Sequence, residues 1–154
     1  MRVRLICVGR PRNPHTNALY DDFTSRVAKL GLDYDSGWVA EERSGGRYSD
    51  EHVTERESRS LLEAVGKSSK LIALDRRGKQ FESERLAELL QRWATPAATI
   101  VLGGPLGLHT SLLERADALW SLGAMTLPHE LARVVAVEQI YRAMTLIRGV
   151  PYHK

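Results

Sequence analysis

The sequence predicts an α/β fold, a largely parallel sheet flanked by helices, and three observations carry that expectation. Short aliphatic runs alternate with stretches of helical periodicity along the whole chain. Its 154 residues suffice for a core of their own. No linker, shift of composition or internal repeat divides residues 1–154, which are therefore read as a single domain.

Val3 to Val8 reads as a first, buried strand. Asn13 then caps a helix carrying Leu19, Tyr20, Phe23, Val27 and Leu30 at three- and four-residue spacing. Leu32 to Ala40 is a second, more polar strand, and "EERSGGRYSD" is loop by composition. Asp50 starts a helix through "EHVTERESRSLLEAVG", expected to end at Gly66 as a C-terminal glycine would end it. Leu71 to Leu74 is a third strand, closed by "DRRGK". Ser83 opens a helix with Leu86, Leu89, Leu90 and Trp93 on one face. Thr99 to Leu102 is a fourth strand, Thr110 caps a short helix, and Ala118 to Leu122 is a fifth strand. Pro128 suits the first turn of a last helix running to about Arg148. That helix is apolar on nearly every side, at Leu131, Val134, Val135, Val137, Ile140, Met144 and Ile147. One face would cover the sheet; a homodimer is the economical expectation for the remainder.

Composition narrows the class. The chain is 43% hydrophobic and 27% charged, ordinary for a globular protein. No apolar run approaches the roughly 18 residues that span a bilayer. "MRVRLICVGR" has basic residues and an apolar centre, but the centre is too short for a signal peptide and no small-residue cleavage site follows. It reads as the first strand of a cytoplasmic protein. The single cysteine, Cys7, excludes an internal disulfide and a cysteine-based zinc site, and its apolar setting makes it a small buried hydrophobe. No metal is expected. A net charge of +3 leans slightly toward polyanions.

"TIVLGGPLGL" (Thr99 to Leu108) poses the functional question, because an aliphatic strand stops at Gly103 and Gly104. Ligands of open α/β sheets gather at such strand ends. The loop lacks the Lys-Ser/Thr of a phosphate-binding Walker loop and the spacing of a dinucleotide fingerprint, and Pro105 removes an amide that phosphate would want. A tight turn with nothing bound is the plain alternative. A second stretch, "LWSLGAMTLPH" (Leu119 to His129), joins strand to helix through small or apolar residues ill-suited to solvent. With Ile72 to Asp75, three apolar strand ends offering mostly main-chain polar groups describe a nucleoside pocket without phosphate clamps.

Taken together, "GGPLG", "SLGAMTLPHELARVVAVEQIYRA" and the terminal "PYHK" resemble the RlmH family of ribosomal RNA methyltransferases, of the SPOUT superfamily. The resemblance spans essentially the whole chain. It implies an α/β domain with a deep trefoil knot at its C-terminal end, and S-adenosylmethionine as cofactor. It implies methylation of N3 of a pseudouridine in 23S rRNA within the assembled 70S ribosome. Carried over position by position, the adenosine pocket would be Leu74, Gly103, Gly104 and Leu122, Gly123, Ala124, Met125, Thr126 and Leu127. The 122–127 loop would then thread the 103–108 loop, and that packing would leave no room for side chains at Gly103 and Gly104. Gly123 stands where other members carry serine, Leu106 where some carry an acid, and Lys154 where others carry arginine.

Methyl transfer to an imide nitrogen needs an in-line nucleophile, a dry site and help with one proton. Exposing the conjugate base of an imide whose pKa lies above about 9 costs about 3 kcal/mol near neutral pH. The resemblance makes His153 the expected base or orienting group and Tyr152 a platform for a flipped base. His129, at the start of the last helix where the dipole discourages protonation, joins them, with a structural brace as its alternative. Arg133, Arg142 and Lys154 are expected on phosphate or base, and Glu138 is expected to pair with an arginine. Arg10, Arg12, Arg76, Arg77, Lys79 and Arg148 are read as surface charges able to meet phosphate, and His15, His52 and His109 as surface residues. An inactive ribosome-binding factor of the same fold, and an enzyme of small nucleotides, are the competing readings.

Overall fold

The computed structural model describes residues 1–43 and 45–154. Five parallel strands form one sheet: β1 (Arg2–Val8), β2 (Asp33–Val39), β3 (Ser69–Lys79), β4 (Ala97–Leu102) and β5 (Ala118–Trp120), in the order β2-β1-β4-β3-β5. Five helices connect and cover them: α1 (Pro14–Lys29), α2 (Asp50–Ala64), α3 (Ser83–Trp93), α4 (Thr110–Arg115) and α5 (His129–Arg148). The middle of the sheet is apolar and buried, at residues 5–8 of β1, 71–74 of β3 and 100–102 of β4, because both faces are covered there. One face carries α1, α3 and α5 over Val3, Leu5, Ile72, Leu74, Ile100 and Trp120. The other carries α2 and α4 over Ile6, Val8, Ala73 and Val101.

Local signals account for most boundaries. Asn13 caps α1, its side-chain oxygen accepting from the amides of His15 and Thr16. α3 presents Leu86, Ala87, Leu90 and Trp93 to the core. Gly149 closes α5 in the left-handed conformation, φ 66°. Other boundaries differ from expectation. α2 stops at Ala64 with Val65 extended, and Gly66 lies beyond the cap. Thr110 is the first residue of α4, and the cap is His109, whose Nδ1 accepts from the Ser111 amide. Pro128 is the N-cap of α5. "DRRGK" continues β3, which shifts register after Leu74 and pairs again at Lys79 with Trp120.

α5 explains its own composition. It lies between α1 and α3 on the sheet, so three sides need apolar residues. Ile140 and Met144 are fully buried, each contributing about 2–3 kcal/mol by removal from water. The flanks assigned to a dimer partner are thus largely covered within the chain, and Leu131, 39% exposed, is the large apolar residue this helix leaves out.

The register shift brings Gly78 against β5: a Cβ there would stand 2.6 Å from the Leu119 carbonyl carbon. Backbone meets backbone, so nothing flexible can yield. Gly78→Ala is expected to cost about 1–3 kcal/mol, read as a lowered midpoint in denaturant unfolding. Gly46→Ala, where a Cβ meets nothing within 4 Å, is expected to stay within about 0.5 kcal/mol of the parent.

Candidate functional site

Parallel pairing sets the floor of the site. Leu74 stands opposite both Leu102 and Trp120, so Gly103 and Ser121 leave their strands on either side of Asp75, where β3 shifts register and runs on. Asp75 ties β3 to the first of these exits. Its carboxylate takes the Arg77 guanidinium in a fork at 2.7 and 2.9 Å, and the same guanidinium donates to the Leu108 carbonyl at 3.3 Å. Burial alone would push the Asp75 pKa up; the Arg77 contacts outweigh it and hold the carboxyl below its usual range. Arg77 is therefore spent on the fold rather than held free for phosphate.

Gly103 is buried and Gly104 half-buried at the mouth of the next loop. The loop folds on itself, with the Gly107 amide donating to the Gly104 carbonyl at 2.9 Å. A Cβ on Gly103 would stand 2.7 Å from the Gly107 carbonyl carbon, and one on Gly104 would meet Val8 Cγ1 at 3.1 Å and Glu57 Oε2 at 3.3 Å. The crowding comes from the loop's own turn and from neighbouring side chains, not from the 122–127 segment to which it was attributed.

That segment begins under tight control. The Ser121 hydroxyl donates to the Gly123 carbonyl and accepts from its amide, at 3.1 and 3.2 Å, and Gly123 takes φ 141°. Glycine adopts this conformation where serine would strain. Leu122 and Leu127 are half-buried, while Ala124, Met125 and Thr126 are exposed, Met125 at 82%.

The last residues fold back onto α5 and α3. Glu138 accepts from Arg142 Nη2 at 2.6 Å, from the Tyr152 hydroxyl at 3.0 Å and, on its other oxygen, from Gln139 Nε2 at 2.6 Å. The expected Glu138–arginine pair is thus made. Arg142 also lies over the Tyr152 ring, 4.8 Å from its centroid. Burial and the Glu138 contact push the Tyr152 pKa up, which leaves the phenol a donor. His153 stands between Arg142 and Glu84, with Nδ1 3.4 Å from Nη1 and Nε2 3.2 Å from Oε1. A guanidinium only donates and a carboxylate only accepts, so the hydrogen sits on Nε2 and Nδ1 keeps its lone pair. Lys154 is exposed at the end. Tyr152, His153 and Arg142 thus come together.

Arg133 does not join them. It is 7% exposed, lies 3.8 Å over the Tyr20 ring and donates to Asn17 Oδ1 at 2.6 Å, bracing α5 against α1. His129, half-buried, precedes Glu130, whose carboxylate takes the Arg12 and Asn13 amides at 2.7 and 2.9 Å. Those amides hold Glu130 below the usual carboxylate range. Among the described residues no group of three or more His, Cys, Asp or Glu side chains is placed to hold a metal ion, and no helix is long and apolar enough to cross a membrane.

A family model described as "Predicted SPOUT methyltransferase" matches residues 1–153. The chain belongs to the SPOUT methyltransferase family. Among curated SPOUT relatives, proteins named ribosomal RNA large subunit methyltransferase H are similar over the full length. That of Syntrophotalea carbinolica is 40% identical, with 99% of each chain covered. That of Deinococcus radiodurans is also 40% identical, covering 100% of this chain and 99% of its own. The RlmH resemblance carried by the motifs is borne out. Two solved structures share the SPOUT fold at low identity. A probable methylase family protein from Haemophilus influenzae aligns with TM-score 0.58 at 13% identity, over 99% of this chain and 70% of its own. A probable methyltransferase from Bordetella pertussis aligns with TM-score 0.56 at 18%, over 92% and 93%.

Two residues near the Gly103 loop escaped sequence reasoning. His109, read as surface, receives at its amide the Ser58 hydroxyl as acceptor, 3.0 Å away, besides capping α4. Glu57 sits in a helical run of charges that reads as solvated, yet it is 2% exposed. Its Oε1 accepts from the Glu42 amide at 2.9 Å, and its Oε2 has no partner among the described residues. Burial, with Glu41 and Glu42 close by, pushes its pKa up against the pull of the Glu42 amide. The folded chain therefore holds this proton more tightly than the unfolded chain. The associated stability is present below the unfolded carboxylate pKa and is lost as pH rises through the folded one. Glu57→Gln keeps an acceptor for the Glu42 amide and cannot ionise. Its melting temperature, relative to the parent, is expected to climb as pH is raised from acid to neutral; an offset independent of pH would contradict this.

Proposed function

We propose that the chain is an S-adenosylmethionine-dependent methyltransferase that acts on N3 of a pseudouridine in 23S rRNA, on the assembled 70S ribosome in the cytoplasm. The observation that carries this reading is the row Leu102–Leu74–Trp120, which delivers the Gly103 loop and the 121–127 loop to one place in a chain of this family. The names borne by the full-length relatives supply the RNA. The pocket residues suit the cofactor. Leu122 and Leu127, half-buried, offer apolar surface above the packed Leu74, and among the described residues a Cβ at Gly107 or Gly123 would meet nothing within 4 Å, where a ligand can meet bare backbone. Gly103, Gly104 and residues 122–127 would hold the nucleoside by main-chain groups. The deep trefoil knot implied by the family resemblance belongs to the same proposal.

When bound, S-adenosylmethionine supplies an electrophilic methyl group. The chain's own residues orient the base and move its proton. His153 Nδ1, whose lone pair faces the Arg142 guanidinium at 3.4 Å, is the proposed acceptor for the N3 proton once the base displaces that contact, with Glu84 holding Nε2. Arg142 beside it stabilises negative charge on the imide, and Tyr152 offers its ring face. Lys154 remains for phosphate. His129 is proposed to brace the 121–128 loop rather than to reach the base. Arg133, buried on Tyr20, would act on RNA only through the position of α5.

Incubation with labelled cofactor and ribosomes lacking the modification is expected to place label at one pseudouridine of 23S rRNA, mapped by nuclease digestion and mass spectrometry. His153→Ala is expected to slow transfer by about 100-fold while cofactor affinity, measured by calorimetry, stays unchanged. Cofactor binding without transfer to any RNA would favour an inactive binding factor instead.

The proposed enzyme is a homodimer. Leu19 on α1 and Leu131 on α5 stay exposed, at 47% and 39%, on two helices that pack together. Light scattering is expected to give the dimer mass for the parent and a shift toward monomer for Leu131→Arg.

A further inference from the structure

A cleft of about 240 Å3 opens between the start of the 121–127 loop, α3 and α5; it adjoins the tail cluster only through Gln139, whose neighbour Glu138 holds Arg142 and Tyr152. Phe81, Leu86, Trp120, Leu122 and Val135 wall it, and Gln80, Ser121 and Gln139 supply its polar groups. Leu74, Gly103 and Gly104 do not line it, and Leu122 is the residue it shares with the proposed cofactor site, so the two adjoin.

The polar groups of the cleft differ in what they have left to give. Ser121 Oγ is engaged with both Gly123 backbone groups. Gln139 is oriented by Glu138. Because a carboxylate only accepts, the amide NH2 must face it, and the Gln139 carbonyl oxygen is the edge that remains. Glu138 cannot swing away, since Arg142 and Tyr152 hold its other oxygen. The result is an apolar slot in which the Gln139 carbonyl is the oriented acceptor, with the Gln80 side chain as a further polar group at its wall. Such a slot recognises a planar ring that presents an N–H at its edge, and its place beside the tail favours a base of the RNA over the purine of the cofactor.

We infer that this cleft seats the target base and that Gln139 is a specificity-determining residue, its carbonyl accepting the N1–H of pseudouridine. Pseudouridine is joined to ribose through carbon and keeps a hydrogen on N1; uridine is joined through N1 and has none. The inference rests on the function proposed above. A site built around a substrate N–H rejects the analogue lacking it, because its acceptor is then left unpaired.

The test compares single-turnover methylation of ribosomes carrying pseudouridine with ribosomes carrying uridine at the target, for the parent, Gln139→Ala and Gln139→Leu. The parent is expected to prefer pseudouridine. Both variants are expected to lose about tenfold or more on pseudouridine, with rates on uridine no lower than the parent's and unchanged KM for S-adenosylmethionine, so that the preference collapses. A preference retained in both variants would overturn the inference and leave the proposed function standing. A raised cofactor KM with the preference intact would assign the cleft to the purine and overturn it equally. No transfer by the parent to either ribosome would instead remove the proposed function, and this inference with it.

Discussion

The burial of α5 on three sides is the constraint on which the rest of this structure depends. A helix with apolar residues nearly all round cannot sit at a surface, and here the sheet, α1 and α3 each take one side. That placement fixes where the chain enters and leaves. The entry is the 121–128 loop, which must rise from β5 at the carboxyl edge. The exit turns at Gly149, whose left-handed backbone sends the last residues back over the helix that precedes them. The candidate cofactor loop and the candidate catalytic tail are thus two ends of one buried rod. A cavity cut under α5, at Ile140 or Met144, would move both.

Polar groups are distributed according to how well they are satisfied. Glu138 is partly buried and holds three donors, so it can serve as a fixed point from which Gln139, Arg142 and Tyr152 take their orientations. Arg133 is more deeply buried and has a ring face and one amide oxygen as partners, with Nε unpaired among the described residues. An arginine so placed is an expensive brace, and the return is a rigid α1–α5 contact rather than a hand extended to substrate. The two arginines sit nine residues apart on one helix and do opposite work, because α1 covers one and the chain's own end covers the other.

What could be read in advance follows the range of the interactions. Strand order aside, the alternation of elements, the Asn13 cap and the buried face of α3 are local, and each was legible. The carboxyl edge of the sheet was legible as a candidate site, because glycines and apolar loop residues occur there together. The causes that lie across the fold were not. Nothing near Gly103 in sequence says that Gly107 will turn back onto it, and nothing near Glu57 says that its neighbours in space are Gly104 and the Glu42 amide. His109 reads as an isolated surface histidine until the α4 amides are seen to need an acceptor. "DRRGK" reads as a loop by composition, yet Gly78 lets it pair with β5 at a distance only glycine permits.

The edge of the sheet is finished; the loop above it is not. Leu74, Leu102 and Trp120 are packed and Asp75 is locked by Arg77, whereas Ala124 to Thr126 stand out with Met125 almost fully exposed. Covering a methionine side chain contributes about 1.5–3 kcal/mol, and in the isolated chain that contribution is not realised. A docking cofactor, RNA or second subunit that covers it gains this energy only when the loop takes the conformation that the docked state requires. Ser121 and Gly123 confine the loop's stem, so the freedom left is at its tip. Energy gained at the tip is therefore delivered to residues next to the cleft, where it can order the groups proposed to meet a substrate instead of being spent on the fold.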